Sequence, residues 1–481
     1  MAENTILKGL SEILYQNFVK TDPEVTARYS VDNVAPKAVI FPENAEQIAE
    51  VVKYANRENL AIVPRGSGTK MGMGNPPDRL DLVVCTKRLN CMKDVDSANL
   101  TITVEAGVKF RDIQARLATE EDRCYLPLGD LGTEEDEVIC PERSHSGCFL
   151  PIDPPFSNKA TIGGIMATNS NGPRRLLYGL LRDIVLGVRF VSPDGKIIGA
   201  GGKTVKNVSG YDITKLMIGS MGSLGILCDM TLRLLPLPEK METLLISFGS
   251  ISEASSFTDR IFETKLLPAA FEVMNDLALK NIRTESKDDS GTEDVIVAIA
   301  LEAFAEAVER MRKELLGLAE DGGAKTCTVI TEGDHLRFWL KVSELAQTAA
   351  GQYPGLITAQ LNYPLSKWND ITRFSSETLS ANNIHHTLMT HAGSGVCSIN
   401  LLPEQDDVSS QQRAVEAAGK LFKNCLEAGG NMVIQEAPAG LKQNLPVWGE
   451  PSQDIIVMKR IKEQLDPSGV MSPGRYGGMS K

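Results

Sequence analysis

Three glycine-rich stretches in this sequence are suited to binding a charged ligand through backbone amides. Residues 65–69 (RGSGT) follow an apolar stretch that we predict to be a strand, and residues 161–164 (TIGG) follow a proline-rich segment. Gly219, Gly222 and Gly225 form a third series before another predicted strand. Glycine has no Cβ, so the backbone at such positions can approach a ligand closely. Together these stretches predict a site at strand ends for a ligand that is flat and charged.

The loop at 65–69, taken alone, is also explained as a flexible turn, because glycine loops are common. Its glycines and those that follow lie at 66, 68, 72 and 74, and a second strand is expected after them. This is not the G-x-G-x-x-G spacing, followed by a helix, of a nicotinamide dinucleotide site.

Residues 120–148 hold a second candidate site, because Cys124, Cys140, His145 and Cys148 are potential soft metal ligands. Zinc and an iron–sulfur cluster are both open, but the spacing matches no recognised ligand pattern. An ordinary surface loop is the favoured interpretation. The acidic run at 134–137 is expected to be solvated, with the docking of a partner as the alternative.

Composition limits the class of protein. A chain of 481 residues is expected to form about two or three domains. Its net charge of −12 argues against nucleic acid or an anionic membrane surface as partner, and no segment is apolar enough for a transmembrane helix. Nine cysteines without a C-x-x-C pair, and no signal sequence at the N-terminus, indicate a cytoplasmic protein with reduced thiols.

The predicted elements alternate between strands and helices around the glycine-rich stretches. Asn44 and Gln47 form a capping box at the start of one helix, and Asp212 is placed to cap another. Beyond residue 240 a strand–helix–strand pair recurs, which predicts two plait-like halves in one antiparallel sheet. Its helix at 303–320 is expected to bury Phe304, Val308, Met311 and Leu315 on one face, as core and not as a surface for a partner.

Several motifs resemble those of a known family. They are RGSGT at 65–69, PIDPP at 151–155, TIGGIMATNSNGP at 161–173, VKNVSGYDITKLMIGSMGSLGI at 205–226 and DPSGVMSPGR at 466–475. They resemble the PCMH-type FAD-binding flavoproteins of the vanillyl-alcohol oxidase superfamily, in the branch of glycolate oxidase and D-lactate dehydrogenase. Within that branch they are most similar to the FAD-binding accessory subunits of bacterial glycolate oxidases.

The resemblance implies an α+β fold, with a two-subdomain PCMH-type FAD-binding domain and an α/β cap domain built on an antiparallel sheet. The expected divisions are a helical lead-in at 1–33, the FAD-binding domain at 34–240 with an insertion at 120–148, the cap or substrate domain at 241–450, and a C-terminal segment at 451–481 that returns to the FAD domain.

The resemblance also implies which residues bind FAD. They are Arg65, Gly66, Ser67, Gly68, Thr69, Thr161, Ile162, Gly163, Gly164, Ala167, Thr168, Gly172, Tyr178, Gly219, Gly222, Gly225 and Ile226. The amides around 66–69 are expected to bind the pyrophosphate. Relatives that attach FAD covalently often do so through a histidine in this loop, where this chain has Thr69, so we expect non-covalent FAD.

For catalysis, the family implies oxidation of a 2-hydroxy acid at a site in the cap domain. The metal motif of its dehydrogenases, roughly H-x-G-D-G-N-L-H, is here reduced to His391 with Ser398 in place of the second histidine. A later glutamate remains as Glu436, but the histidine after it is replaced by Ala437. Two remaining ligands bind a divalent metal poorly, so no metal site is expected.

His391 and Glu436 are then candidates for a base and its orienting acid, or remnants satisfied by hydrogen bonds. Tyr211 is expected at the flavin edge, with a packed tyrosine as the alternative. Arg475 is expected to hold the substrate anion or the flavin, with a plain surface arginine as the alternative. At most one of His385 and His386 is expected to reach the flavin, because they alternate on a predicted strand.

Three functions remain open at this level. The first is an FAD-dependent oxidoreductase subunit that oxidises a small 2-hydroxy acid and passes electrons to an iron–sulfur protein or a paralogous flavoprotein. The second is a non-catalytic subunit that holds FAD as an electron relay or as a structural element. The third is an independent enzyme for an alcohol or an aldonic lactone. Attachment to a membrane would be peripheral, through a complex.

Overall fold

The computed structural model describes residues 9–119, 147–203, 211–283, 294–404, 407–451 and 453–477. Cys124, Cys140 and His145 of the candidate metal loop lie outside these ranges, and Cys148 lies inside them. The metal interpretation of that loop therefore stays a prediction.

The N-terminal half is built on two main sheets and a short two-stranded ladder. Its strands are β1 Val19–Lys20, β2 Ala38–Ile40, β3 Ile62–Arg65, β4 Leu82–Cys85, β5 Met92–Asp96, β6 Thr101–Glu105, β7 Cys148–Phe149, β8 Val185–Val191, β9 Ile197–Gly201, β10 Ile226–Arg233 and β11 Leu235–Pro236. The first sheet has the order β1-β2-β4-β3, with β2, β4 and β3 parallel. The second is antiparallel, in the order β5-β6-β10-β8-β9.

Helices of this half connect and cover the sheets. They are Pro23–Ala27, Ala45–Arg57, Phe110–Thr119, Ile162–Ala167, Arg175–Tyr178, Leu181–Ile184 and Ile213–Met217. The predicted caps are present: the Asn44 side chain accepts a hydrogen bond from the Gln47 amide at 2.9 Å, and Asp212 accepts from the Lys215 amide at 3.1 Å. Each cap satisfies a backbone donor that the first helical turn leaves unpaired.

The edge strand of the first sheet continues into the C-terminal segment. Ile62 on β3 forms a parallel bridge with Met471. Its amide donates to the Val470 carbonyl at 2.7 Å, and the Ser472 amide donates to the Ile62 carbonyl at 2.8 Å. Residues 470–472 therefore lie beside the strand that leads into the glycine loop at 65–69.

The C-terminal half contains one sheet of eight strands within the described residues. They are β12 Lys240–Phe248, β13 Ala270–Asn275, β14 Val295–Ala303, β15 Thr326–Thr331, β16 Ile357–Asn362, β17 His386–His391, β18 Val396–Leu401 and β19 Asn431–Glu436. Their order is β15-β12-β14-β13-β17-β18-β16-β19, with antiparallel pairing throughout. The predicted fold class, with two repeated halves in one antiparallel sheet, is confirmed.

Helices cover both faces of this sheet. They are Ile251–Phe262, Asp276–Arg283, Ala305–Asp321, Glu332–Ser343, Leu345–Gln352, Trp368–Ala381, Val408–Glu427 and Ala439–Lys442. The C-terminal helix Ile455–Leu465 packs instead against the N-terminal half, where Lys462 donates to the Ser223 carbonyl at 2.7 Å. Alternate residues of a strand face opposite sides. Accordingly Leu244 packs in the large core beneath the long helices, whereas Leu245 packs with Phe338 and Trp339 on the other face.

The sequence analysis assigned no element to 332–352, where the structure has two helices. Trp339 is 1% exposed there and contributes to the core on the face of the sheet that meets the N-terminal half. Among the described residues, no helix combines the length and apolarity needed to cross a bilayer.

The expected core face of the helix Ala305–Asp321 is largely observed. Val308, Met311 and Leu315 are buried, but Phe304 precedes the helix and is 72% exposed, so its assignment to the core is corrected. A residue at the N-cap has left the helical path and does not share the face defined by the residues that follow.

This difference predicts unequal effects of truncation. Leu315→Ala should lower the free energy of unfolding by about 2–5 kcal/mol, because it leaves a cavity under the sheet. Phe304→Ala should change it by less than about 0.5 kcal/mol, because the ring is largely in water. Chemical denaturation of both variants checks this, and equal losses would contradict the structure.

Candidate functional site

A cleft in the N-terminal half is lined by backbone from the three glycine-rich stretches, and we call it the glycine cleft. Of the residues predicted to bind the cofactor, it is lined by Arg65, Gly66, Ser67, Gly68, Thr69, Thr161, Gly163, Gly164, Ala167, Thr168, Gly222, Gly225 and Ile226. The fold therefore brings together, in one concave site, segments that are far apart in sequence.

The backbone of the glycine loop leaves donors available for a ligand. Within the described residues, the amides of Ser67, Gly68 and Thr69 donate no hydrogen bond. Gly68 has a φ of +84° and Gly222 a φ of +67°, which side chains with a Cβ adopt at a cost. Unpaired amides in a turn of this kind form a concave anion site, so the residues present fit the pyrophosphate of FAD.

The second stretch packs closely beside this loop. Thr161 caps the helix Ile162–Ala167, with its Oγ1 accepting from the Gly164 amide at 3.3 Å. Gly163 lies against Ala106, whose carbonyl accepts from the Gly163 amide at 2.9 Å. Ile162 is fully buried in the core and does not line the glycine cleft.

Gly66→Ala should weaken FAD binding. A Cβ at Gly66 would lie 2.0 Å from Thr161 Oγ1, so either the loop or the capping threonine must move. We expect purified Gly66→Ala protein to carry less FAD than the unmodified chain, measured as bound flavin per polypeptide. Gly199→Ala is the matched control, because a Cβ there meets nothing within 4 Å. Full FAD content in Gly66→Ala would contradict the tight packing of this loop.

Tyr178 lies outside the glycine cleft and joins the two halves of the molecule. Its hydroxyl donates to Glu302 Oε2 at 2.6 Å, and Arg174 Nε lies 2.8 Å from Glu302 Oε1. Burial opposes ionisation of Glu302, but Arg174 and hydrogen bonds from His335 and Tyr178 prevail and lower its pKa to about 2. This buried pairing fixes the C-terminal half against the segment that carries Arg174.

A second cavity, of about 420 Å³, lies between the two halves and is called the interface cavity. It shares Thr69, Lys70, Pro155, Thr168, Ser170 and Met221 with the glycine cleft, so the two spaces are adjacent. Gly172 and Gly219, predicted to bind FAD, line this cavity instead. The side chains at its wall that could bind a substrate or take part in a reaction are Lys70, Arg175, Gln360, His391, Ser398 and Glu436.

His391 is fixed at the wall of this cavity by a buried carboxylate. It ends β17 and is directly opposite Glu272 on β13, and its Nδ1 hydrogen-bonds to Glu272 Oε1. Glu272 is fully buried, and His391 is 6% exposed. A carboxylate accepts, so Nδ1 carries the proton, and Nε2 has no hydrogen-bond partner among the described residues. This geometry is that of an oriented general base.

The partner of His391 is therefore Glu272, whereas the sequence analysis had proposed Glu436. Glu436 lines the same cavity, but no hydrogen bond joins it to His391 in the described structure. Burial raises the pKa of Glu436, while Lys442 and Lys70 oppose that rise. A signal for Glu272 was present in the sequence, because it is the only ionisable residue in the apolar stretch 266–274.

Metal binding has limited support from the donor set. Within the described ranges, no group of three or more His, Cys, Asp and Glu side chains is placed to hold an ion. Ser398 lines the interface cavity at the position of the missing second histidine.

Lys70 follows the glycine loop and lines both spaces. Burial lowers its pKa to about 8, and the nearby charge of Arg175 acts in the same direction, against Glu436 and Glu344. The sequence analysis did not single out either cation.

Arg475 is buried and its guanidinium is engaged within the protein. It donates to Asp32 Oδ2 at 3.0 Å and to the carbonyls of Met71 at 2.7 Å and Asn75 at 2.9 Å. Lys442 donates to Asp32 Oδ1 at 2.6 Å and to the Gly74 carbonyl at 3.0 Å. We call Asp32, Lys442 and Arg475 the Asp32 cluster; it holds the segment that follows the glycine loop.

The remaining predicted residues and histidines lie away from the interface cavity. Tyr211 is 97% exposed. His386 does not line the cavity, and its Nδ1 bonds to the Ile384 carbonyl at 2.9 Å. Neither Tyr211 nor His385 is among the residues that line it.

Two family models match the sequence of this chain. The family model of an FAD binding domain matches residues 36–128 and 142–201, and that of the C-terminal domain of FAD linked oxidases matches residues 237–476.

Curated relatives match over most of their length. Glycolate oxidase subunit GlcD of Bacillus subtilis is 28% identical, covering 92% of this chain and 88% of its own. D-2-hydroxyglutarate dehydrogenase of Xanthomonas citri is 27% identical, covering 95% and 93%. D-lactate dehydrogenase of Archaeoglobus fulgidus is 27% identical, covering 92% and 93%.

Solved structures show the same fold at lower identity. p-Cresol methylhydroxylase with substrate bound has a TM-score of 0.76 at 15% identity, covering 100% of this chain and 98% of its own. 4-Ethylphenol oxidase from Gulosibacter chungangensis, in complex with isoeugenol, has a TM-score of 0.74 at 16% identity, covering 99% and 97%.

Proposed function

Because the chain belongs to the FAD-linked oxidases, in the branch of glycolate oxidase and D-lactate dehydrogenase, and FAD is its cofactor, we propose that it oxidises a 2-hydroxy acid to the 2-oxo acid. The observation that carries this proposal is His391, oriented by Glu272, at the wall of a cavity adjacent to the glycine cleft. A base in that place can take a proton from a substrate bound beside the cofactor.

The residues of the chain supply the proton chemistry. His391 Nε2 accepts the hydroxyl proton as the carbonyl forms at C2, and the imidazole becomes imidazolium. Glu272 fixes the tautomer with Nδ1 protonated and stabilises the imidazolium through its charge, as the acid does in other carboxylate–histidine pairs. Bound FAD supplies the two-electron acceptor for the hydrogen that leaves C2.

A non-catalytic relay subunit is not favoured. The weakened metal motif, with Ser398 and Ala437 in place of histidines, was the reason to consider it. The curated relatives bear the names of oxidase and dehydrogenase proteins, and the interface cavity retains an oriented base.

Delivery of the electrons to an iron–sulfur protein or a second flavoprotein is part of the proposal, as is a cytoplasmic location with at most peripheral membrane attachment. The existence of a partner is supported by the likeness to a protein named as a subunit of glycolate oxidase. Affinity purification of the tagged chain from its host, followed by identification of stoichiometric partners, tests this. Recovery of the chain alone, with full turnover on a soluble acceptor, would contradict it.

Anaerobic reduction of the bound flavin tests the function itself. D-lactate, glycolate and D-2-hydroxyglutarate are added to the purified chain, with and without Zn²⁺ or Mn²⁺, beside an alcohol and an aldonic lactone. Bleaching of the flavin absorbance by one hydroxy acid is the expected result. Bleaching by the alcohol or lactone alone would contradict the proposed substrate class. Bleaching only in the presence of a co-purified partner would support the non-catalytic subunit that relays electrons.

A further inference from the structure

Two cations from different segments meet at the interface cavity. Lys70 lies just after the glycine loop, and Arg175 begins the helix Arg175–Tyr178. Both side chains line this cavity, and the charge of Arg175 adds to burial in lowering the pKa of Lys70. Two like charges at the edge of a partly desolvated cavity repel, which is unfavourable unless an anion joins them.

Neither cation forms an ion pair within the described part of the chain. Lys70 Nζ donates no hydrogen bond there and has no carboxylate within 4 Å. Arg175 donates from Nε to the Gly172 carbonyl at 2.9 Å and from Nη2 to the Asn171 carbonyl at 2.7 Å, and likewise has no carboxylate within 4 Å. These carbonyl contacts hold the guanidinium in place. Burial lowers the pKa of Arg175, and the charges of Asp153 and Glu272 oppose that change without forming an ion pair. Arg475, by contrast, forms a buried ion pair with Asp32.

The balance of charge in the interface cavity is positive. Glu436 is the only carboxylate among the described residues that line it, against Lys70 and Arg175. His391 is matched by Glu272 behind it. A positive balance of charge among the side chains that line a cavity with a base suits a substrate with one carboxylate beside the group to be oxidised.

We propose that Lys70 and Arg175 form the anion subsite of the interface cavity and bind the carboxylate of the substrate. The proposal rests on the proposed function for the identity of that anion. A guanidinium fixed by backbone carbonyls presents its remaining donors in one plane to a carboxylate, and the lysine adds a mobile point charge. The sequence analysis had expected Arg475 to hold the substrate anion or the flavin, and Arg475 lines the glycine cleft but not the interface cavity.

Binding of oxalate to the FAD-loaded protein tests this independently of turnover. Oxalate carries carboxylates but no C–H bond to oxidise, and its binding is followed as a perturbation of the flavin absorbance. Lys70→Met and Arg175→Gln should each raise the Kd for oxalate by about 10–100-fold, because each removes a charged hydrogen bond. Lys70→Arg, which keeps the charge, should bind more tightly than Lys70→Met.

Lys87→Gln is the matched control. Lys87 lines an outer groove beside Ser67, Gly68 and Thr69 and does not line the interface cavity. The Lys87→Gln substitution removes one positive charge from the same part of the surface. A rise in the Kd for oxalate that is confined to the Lys70 and Arg175 variants therefore supports a specific subsite over long-range attraction.

Each result separates this proposal from the proposed function. Oxalate binding that weakens in both variants, with FAD content unchanged, supports the subsite even if no hydroxy acid reduces the flavin. Unchanged oxalate affinity in both variants overturns the subsite, even if D-lactate reduces the flavin normally. Failure of the unmodified protein to bind oxalate overturns it, and so does loss of FAD in both variants, which would make the cations ligands of the cofactor.

Discussion

Replacing His391 with alanine is expected to slow reduction of the bound flavin by its hydroxy acid by about 10²–10⁴-fold, the contribution typical of a positioned general base. The reason is geometric: Nε2 of His391 is the free end of an imidazole whose other nitrogen is held by Glu272. FAD content should not change, because His391 lines the interface cavity and not the glycine cleft. Stopped-flow reduction under anaerobic conditions measures the effect.

His386→Ala is the control for this experiment. It removes an imidazole from the same strand, β17, at a position that does not line the interface cavity. Its rate should match that of the unmodified protein. Reduction in His391→Ala at the rate of this control would remove His391 from the mechanism.

Glu272→Gln tests the positioning role separately. The amide can still accept from Nδ1, but the negative charge that stabilises the imidazolium is lost. By analogy with carboxylates that support metal-bound histidines, we expect a loss of about 10–100-fold in kcat, with KM little changed. The pH profile of kcat should also shift, which a purely structural effect on folding would not produce.

The second large effect concerns the Asp32 cluster. Asp32→Asn is expected to lower the free energy of unfolding by about 3–5 kcal/mol, because it leaves two buried cations without their shared carboxylate. The side chains of Lys442 and Arg475 are 1% and 3% exposed, so water cannot replace the lost charge. FAD should dissociate more readily as well, since both cations also bind carbonyls of residues 71–75 beside the glycine loop.

Chemical denaturation and the rate of FAD release measure these two consequences. Asp194→Asn is the matched control, because Asp194 pairs with Lys196 at the surface, and such pairs contribute about 0–1 kcal/mol. Asp32→Asn protein as stable as Asp194→Asn protein, with FAD retained, would show that the cluster does not hold the loop.

Much of the fold follows from local patterns in the sequence. The capped helix after Asn44, the strands around the glycine loop and the repeated halves of the C-terminal sheet depend on periodicity and caps, which neighbouring residues determine. The glycine cleft could also be predicted, because positions that have no room for a Cβ are occupied by glycine, which the sequence shows directly.

Hydrogen-bond partners that lie far apart in the sequence could not be predicted in this way. The pairing of His391 with Glu272 depends on which strands become neighbours, and 119 positions separate the two residues. The resemblance assigned Arg475 to the substrate anion or the flavin, and Tyr178 to the cofactor. Arg475 does line the glycine cleft, but the buried carboxylates that engage the two side chains, Asp32 and Glu302, lie on other segments. A buried polar side chain hydrogen-bonds to a suitable group that lies near it in the folded structure. The sequence pattern does not say which residues are near one another after folding.

The bridge between Ile62 and Met471 bears on how the protein is made. The glycine loop leaves the ribosome about 400 residues before the segment that completes its sheet edge and the arginine that fixes it. At a synthesis rate of about 5–20 residues per second, these contacts become possible on the order of 20–80 s after the loop is made. We therefore expect stable binding of FAD late in the biogenesis of this chain, and a nascent polypeptide stalled before residue 470 should lack bound flavin.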